Sequence, residues 1–280
     1  MSRTYLIRHP GPKRPVRQNV VLGHVQKVEI ALPGGSILMD AVAWHMDELG
    51  CDSAMLLLDG LQMGLYNFVK PTMNSPDGKK VAWYSETYSG ASAVIEHAMA
   101  SVGRRDGEWW LHCHAVWDSE TTDQKSGHLL PDQITVETDS TVICFAFYGG
   151  LFDVTHDEET QFDIFRAKPA TPDTRSANAA IVTLAPFEDL GEAMPQICKE
   201  LGFEKVRVLG LGSFIGADFK TGPSMEAAAS EVLLLPGATP NRLPVHAIGA
   251  DGNQYRGEVL TGHVPVCITF ELMLVDVSSH

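Results

Sequence analysis

The sequence predicts an α/β (α+β) chain built as two tandem units, each a set of strands around one principal helix, and three observations carry that reading. Short apolar runs that alternate with polar residues recur between glycine- and proline-rich breaks, which is the pattern of half-buried strands. Two segments, residues 36–50 and 187–202, instead place apolar side chains at the three-to-four spacing of a helix packed on one face. Most informative is the order: strand, helix, glycine-broken strand, histidine-bearing hairpin and closing strand occur once and then again, which marks an internal duplication.

In the first unit, residues 23–33 (GHVQKVEIALP) alternate as a strand. Residues 36–50 (SILMDAVAWHMDELG) follow as the helix, with Ser36 placed to cap its start and Gly50 its end. Residues 54–69 are apolar and broken by glycine, giving a buried strand, a bend or bulge and a second strand. The turn-forming residues of 70–80 (KPTMNSPDGKK) give a loop. Residues 109–130 (WWLHCHAVWDSETTDQKSGHLL) read as a strand, a polar turn and a returning strand, and residues 134–156 add two alternating strands joined near Asp139 and Ser140. Residues 169–178 (PATPDTRSAN) lack any long period and divide a first domain, 1–168, from a second, 179–280.

The second unit opens on the strand AAIVTLAP and continues into the helix of 187–202. Glu188, Asp189 and Glu192 stand near its start and Lys199 in its last turn, as the helix dipole prefers. Pro195 lies inside this helix, so a later start or a bend is expected there. VRVLGLGSFIGADF then matches the glycine-broken strand of the first unit, LPVHAIGADGNQYRGEVLTGHVP matches the histidine hairpin, and CITFELMLVDV closes the unit. The first unit is the longer, with its surplus between Lys70 and Glu108.

The histidines carry the chemistry. In a strand, residues i and i+2 share a face, so His112 and His114 stand side by side while Cys113 points away. A returning strand brings His128 beside them. Three imidazoles with an open fourth position form the donor set of a catalytic or ligand-binding zinc site. Such an ion would suit hydrolytic or lyase chemistry, or the sensing of a small molecule. Asp118, Glu120, Asp123 and Glu137 are the nearby acids, and the sequence selects none of them as a general base. In the second unit Pro244 takes the place of His112, while His246 and His263 correspond to His114 and His128, so the second site is degenerate.

Composition disfavours several alternatives. A net charge of −14 over 280 residues repels a phosphate backbone. The basic residues Arg3, Arg8, Lys13, Arg14 and Arg17 are gathered in an N-terminal arm without acids, which docks most simply on an acidic body or clamps an anion through Arg8 or Arg17. Five scattered cysteines, Cys51, Cys113, Cys144, Cys198 and Cys267, sit mostly in apolar runs, as reduced core residues of a cytoplasmic protein do. No apolar segment approaches membrane-spanning length. GLGSFIG (210–216) has the wrong spacing for a dinucleotide fingerprint and reads as a tight bend. HDEE (156–159) reads as a solvated charge cluster, and Trp109, Trp110 and Trp117 either wall a ligand pocket or fill an interface.

Together the strings LHCHA, SGHLL, LGLGS and TGHVP resemble the motifs of the plants and prokaryotes conserved (PPC) domain, in which an LHxHA strand is followed by a GGHLL-like segment. The likeness runs twice along the chain, over about 25–153 and 180–277. It implies two copies of a mainly antiparallel sheet domain with one principal helix, usually assembled as a homotrimer, and a zinc site similar to His112, His114 and His128. Plant members join the domain to a DNA-binding AT-hook, so a DNA-associated regulator is the alternative the resemblance suggests. The nearest candidate here, GPKRP (11–15), lacks the Arg-Gly-Arg-Pro core of that hook. An oligomeric scaffold without chemistry is the third reading.

Overall fold

The computed structural model describes residues 7–73, 75–76, 78–171 and 173–278. Arg3 of the basic arm lies outside them. The first copy comprises β1 (Gln18–Leu32), α1 (Leu38–Leu49), β2 (Ser53–Leu57), β3 (Gln62–Val69), the short β4 (Pro71–Thr72) and β5 (Trp83–Tyr84), β6 (Tyr88–Arg105), β7 (Glu108–Ser119), β8 (Ser126–Leu129), β9 (Ser140–Tyr148), β10 (Gly150–Asp157) and β11 (Phe162–Pro169). The second comprises β12 (Ala179–Leu184), α2 (Leu190–Leu201), β13 (Val206–Phe214), β14 (Ser230–Leu234), β15 (Pro244–Gly249), β16 (Gln254–Glu258) and β17 (Val266–Asp276). Its architecture is the α+β one expected: a mostly antiparallel sheet with one helix of 12 residues in each copy.

One strand joins the copies. The first six residues of β1 pair antiparallel with β12, and the remaining nine pair with β9 of the first copy's own sheet. The strand order therefore runs β16-β15-β14-β13-β17-β12-β1-β9-β2-β6-β3-β8-β7 through both copies. The surplus of the first copy holds the β4–β5 hairpin and most of the 18-residue β6, which reaches far enough to pair with β2, β3 and β7. A loop was expected over 70–80, and its first residues instead form the start of that hairpin.

Alternation along the strands sorts side chains into three large cores and a small cluster of Ala82, Ile215, Ala229 and Cys267. In β2, Ala54 and Leu56 face α1 and pack with its Leu38, Val42 and Met46, whereas Met55 on the other face joins Met99, Phe145 and Phe147. The second copy repeats this: Val232 and Leu234 of β14 and Leu272 and Leu274 of β17 pack with α2, while Leu233 and Met273 turn the other way. Those outward faces meet, so Met55, Met99 and Phe147 of one copy share an apolar layer with Leu209, Leu233 and Met273 of the other. Strands buried on both faces read as continuous apolar runs, which is why AMLLL and EVLLL carry no polar alternation.

Local details correct several expectations. Ser36 does not cap α1: Ile37 occupies the cap position and the Ser36 hydroxyl donates to the Pro33 carbonyl at 2.6 Å. Gly50 closes α1 with φ of 58°, the left-handed conformation glycine tolerates. Helix α2 is capped by Asp189, which accepts from the Glu192 amide and also from the Gly262 and Val264 amides, and it runs through Pro195. The segment GLGS is no tight bend but part of β13, with a register shift between Gly212 and Phe214. HDEE is not a solvated cluster either, since Asp157 and Glu159 are buried and paired with Arg166 and Arg17. The arm docks through that Arg17, which also lies 3.5 Å from Glu188. All five cysteines are buried and free.

Candidate metal centre

Strand β7 carries Leu111, Cys113, Ala115 and Trp117 into the first copy's core, so the intervening His112 and His114 emerge on the face turned toward the second copy. Register then assembles the triad: His114 stands opposite His128 of β8. Ring centroids of the three imidazoles lie 4.6 to 5.3 Å apart. This is the convergence that the hairpin reading predicts, and the polar turn of 120–125 is what brings the strand back.

The second copy completes the cluster. Glu231 of β14 shares its side of the strand with Leu233, and Glu271 of β17 shares its side with Met273, so both carboxylates enter the inter-copy layer where apolar packing gives way to the histidines. One donor atom from each of His112, His114, His128 and Glu231 falls within 4.8 Å of the others. The Glu231 carboxylate meets His114 Nε2 and lies 4.0 Å from His128 Nδ1. Glu231 thus stands where the sequence left an open fourth position.

Proton positions follow from the partners. His114 Nδ1 donates to the Val232 carbonyl at 2.8 Å, and a carbonyl can only accept. His112 Nδ1 lies 2.8 Å from the Glu271 carboxylate, which also accepts from the Ser101 hydroxyl. With both Nδ1 protons committed, the Nε2 atoms of His112 and His114 face one another at 3.0 Å, and in the neutral rings both turn lone pairs inward. His128 Nδ1 is buried without a hydrogen-bond partner. Lone pairs, an orphaned ring nitrogen and a carboxylate converging on one point are a donor set that a divalent cation satisfies. Acceptors on the outer nitrogens are the arrangement that orients metal-bound imidazoles.

Electrostatics separate the three rings. Burial pulls His112 down, yet the charge and hydrogen bond of Glu271, with Glu231 beyond, outweigh it and raise its pKa. His128 is held well below its ordinary value by burial and by the neighbouring His112 and His114. None of the acids weighed from the sequence enters the cluster. Asp118 pairs with Lys125, Glu137 accepts from Ser92 at 3.2 Å, and Glu120 and Asp123 lie in the connecting turn.

The second copy does not assemble an equivalent set. There Pro244 stands opposite Glu258, at the register where the first copy has His114 opposite His128, rather than in the place of His112. The residue opposite His246 is Arg256, and His263 lies farther on, just before β17, bonded to Asp218 at 2.7 Å. The correspondence of His263 with His128 is therefore overturned: TGHVP resembles SGHLL in sequence but sits beyond the paired strand.

His246 is buried with Nε2 unpartnered, and burial, Arg256 and His97 lower its pKa to about 4. A histidine depressed below its unfolded value of about 6.5 costs nothing above that pH, and stability is lost as pH falls from there toward the folded value. Urea unfolding at pH 7 and pH 4.5 should show the parent losing about 2 to 3 kcal/mol more than His246→Gln over this interval. Equal losses in both would show that His246 does not carry this effect.

Beside the histidines lies a cavity of about 390 Å³, walled by Trp83, Trp110, Phe162 and Tyr84 and floored by the metal-site residues. Of the tryptophans singled out in the sequence, Trp110 is the one on this wall. Trp117 is core, and Trp109 packs inward with its Nε1 donating to Asp47 at 2.7 Å.

No family model matches the chain, and no curated protein does. Among solved structures, a protein of Ralstonia eutropha JMP134 is 19% identical over 51% of this chain and 94% of its own, with a TM-score of 0.40. A metal-containing protein of Archaeoglobus fulgidus is 14% identical over 52% of this chain and 97% of its own, at 0.40. A plant- and prokaryote-conserved (PPC) protein of Pyrococcus horikoshii is 14% identical over 53% and 97%, at 0.38. The chain is thus similar to solved structures that include a PPC protein, each matched over nearly its whole length by about half of this one.

Proposed function

We propose that this protein binds a divalent metal ion, zinc by its donor set, through His112, His114, His128 and Glu231, and that the ion serves the recognition or conversion of a small molecule in the adjoining cavity. The observation that carries this reading is the pair of imidazoles whose Nδ1 protons are fixed by second-copy acceptors and whose Nε2 lone pairs face each other at 3.0 Å. Without a cation or an added proton such a pair is repulsive, and the Glu231 carboxylate beside it adds to that repulsion.

Four protein donors make a closed tetrahedral set, whereas a site for hydrolysis keeps one position for water. Glu231 is the donor contributed by the other copy, so access of a small molecule to the ion depends on how firmly that copy holds it. When bound, the metal would act as a Lewis acid or lower the pKa of a bound water. The chain's own contribution is to orient His112 through Glu271 and His114 through the Val232 carbonyl, and to exclude water with the apolar layer behind them.

Metal analysis of the purified protein tests the reading. One equivalent per chain is expected in the parent and well under a tenth of that in His112→Ala, with helix and strand content unchanged by circular dichroism. An intact protein without stoichiometric metal would sink it.

A further inference from the structure

The cavity beside the histidines has an unbalanced wall. Every carboxylate that lines it is already engaged: Glu231 lies among the three histidines, Glu271 meets His112 Nδ1 and the Ser101 hydroxyl, and Asp163 accepts from His156 Nδ1 at 3.1 Å. Two cations also line it, Lys80 and Arg105, and among the described residues neither has a carboxylate partner. In a chain with a net charge of −14, two such cations in one cavity need a reason.

Aromatic rings hold them instead. The Lys80 ammonium lies 4.5 Å from the Trp83 ring centre and 4.6 Å from that of Phe162, and the Arg105 guanidinium lies 4.9 Å from that of Trp110. A ring face attracts the charge but accepts no strong hydrogen bond, so the N–H donors of both groups stay available. Both cations are therefore positioned without being neutralised, Lys80 half-buried and Arg105 exposed, beside the aromatic wall of Trp83, Tyr84, Trp110 and Phe162. At about 390 Å³ the cavity is within the range of small-molecule sites.

We propose that the ligand of this cavity is a small organic acid with a planar, apolar body, its carboxylate held by Arg105 and Lys80 and its body lying against Trp83, Trp110 and Phe162. The proposal rests on the metal reading only for the idea that the cavity is a working site, since the recognition itself is made by groups outside the metal cluster. Charge-assisted hydrogen bonds contribute the affinity and the aromatic walls select the shape.

Isothermal titration of the purified protein, as isolated and after chelator treatment, with benzoate and cinnamate tests this against the neutral benzamide and cinnamamide. The acids should bind at least tenfold more tightly than their amides. Arg105→Gln and Lys80→Gln should each weaken the acids about tenfold while leaving metal content and the circular dichroism spectrum as in the parent. Binding of neither acid, equal binding of the amides, or full affinity in both variants would each overturn the proposal. Charge-selective binding that needs Lys80 and Arg105 and persists after chelation supports the anion pocket, whereas absence of stoichiometric metal from the protein as isolated would count against the metal reading alone.

Discussion

Removing the metal should lower the melting temperature of this protein by about 8 °C. An ion held by this donor set would bind only the folded chain, because the donors come from β7, β8 and β14, and β14 is separated from the others by about a hundred residues of sequence. A ligand present at about a thousand times its Kd stabilises the folded state by about 4 kcal/mol, and in a chain of this size each kcal/mol is worth roughly 2 °C. The same shift should shrink by more than half in Glu231→Ala, since the ion then no longer ties the second copy to the first. Scanning calorimetry of the parent and the variant, with and without a chelator, measures both effects. A chelator shift below about 1 °C in the parent would contradict a metal clamp between the copies.

The two halves of this centre were unequally legible. His112, His114 and His128 could be read because strand alternation and a hairpin are local rules: two residues apart means one face, and a polar turn means a returning strand. The carboxylates come from another level of organisation. Glu231 and Glu271 reach the site because two outward sheet faces meet, and nothing local to SEVLLL or ITFELMLV specifies which surface they face. A signal was present even so. Glu271 is the single acid in the run from Val264 to Val275 and is 1% exposed in the structure, and an ionisable group embedded in an apolar strand asks for a partner.

The misreading of His263 has the same origin. TGHVP copies the letters of SGHLL, but pairing register is set by the turn between β15 and β16, which places Arg256 opposite His246. String similarity reported a duplication correctly and a position within it incorrectly. The asymmetry that resulted is functional in kind: where one side of the inter-copy layer gathers three imidazoles and two carboxylates, the other sets Pro244 opposite Glu258 and His246 opposite Arg256, and no second group of metal donors forms among the described residues. Burial first, and then the Arg256 charge beside it, lower the pKa of His246, so positive charge is disfavoured there.

Glu271 then becomes the sharpest probe of how the copies cooperate, because it touches the metal site only through His112. Two carboxylates, Glu231 and Glu271, match the charge of a divalent ion held by neutral imidazoles, so removing either leaves a buried positive charge. Glu271→Gln keeps an acceptor for His112 Nδ1 but loses the charge, and metal affinity should fall about tenfold. Glu271→Leu loses both, leaves the Ser101 hydroxyl and the His112 Nδ1 proton unpaired, and should cost about a hundredfold, the upper end for residues that orient a ligand. Competition with a chromogenic chelator reads these affinities, and urea unfolding of the metal-free variants reads the fold separately. If Glu271 served only packing, metal-free stability would drop while affinity stayed at the parent value. If it orients and charge-balances His112, affinity falls in the order parent, Gln, Leu, with one metal per chain retained at saturation in each.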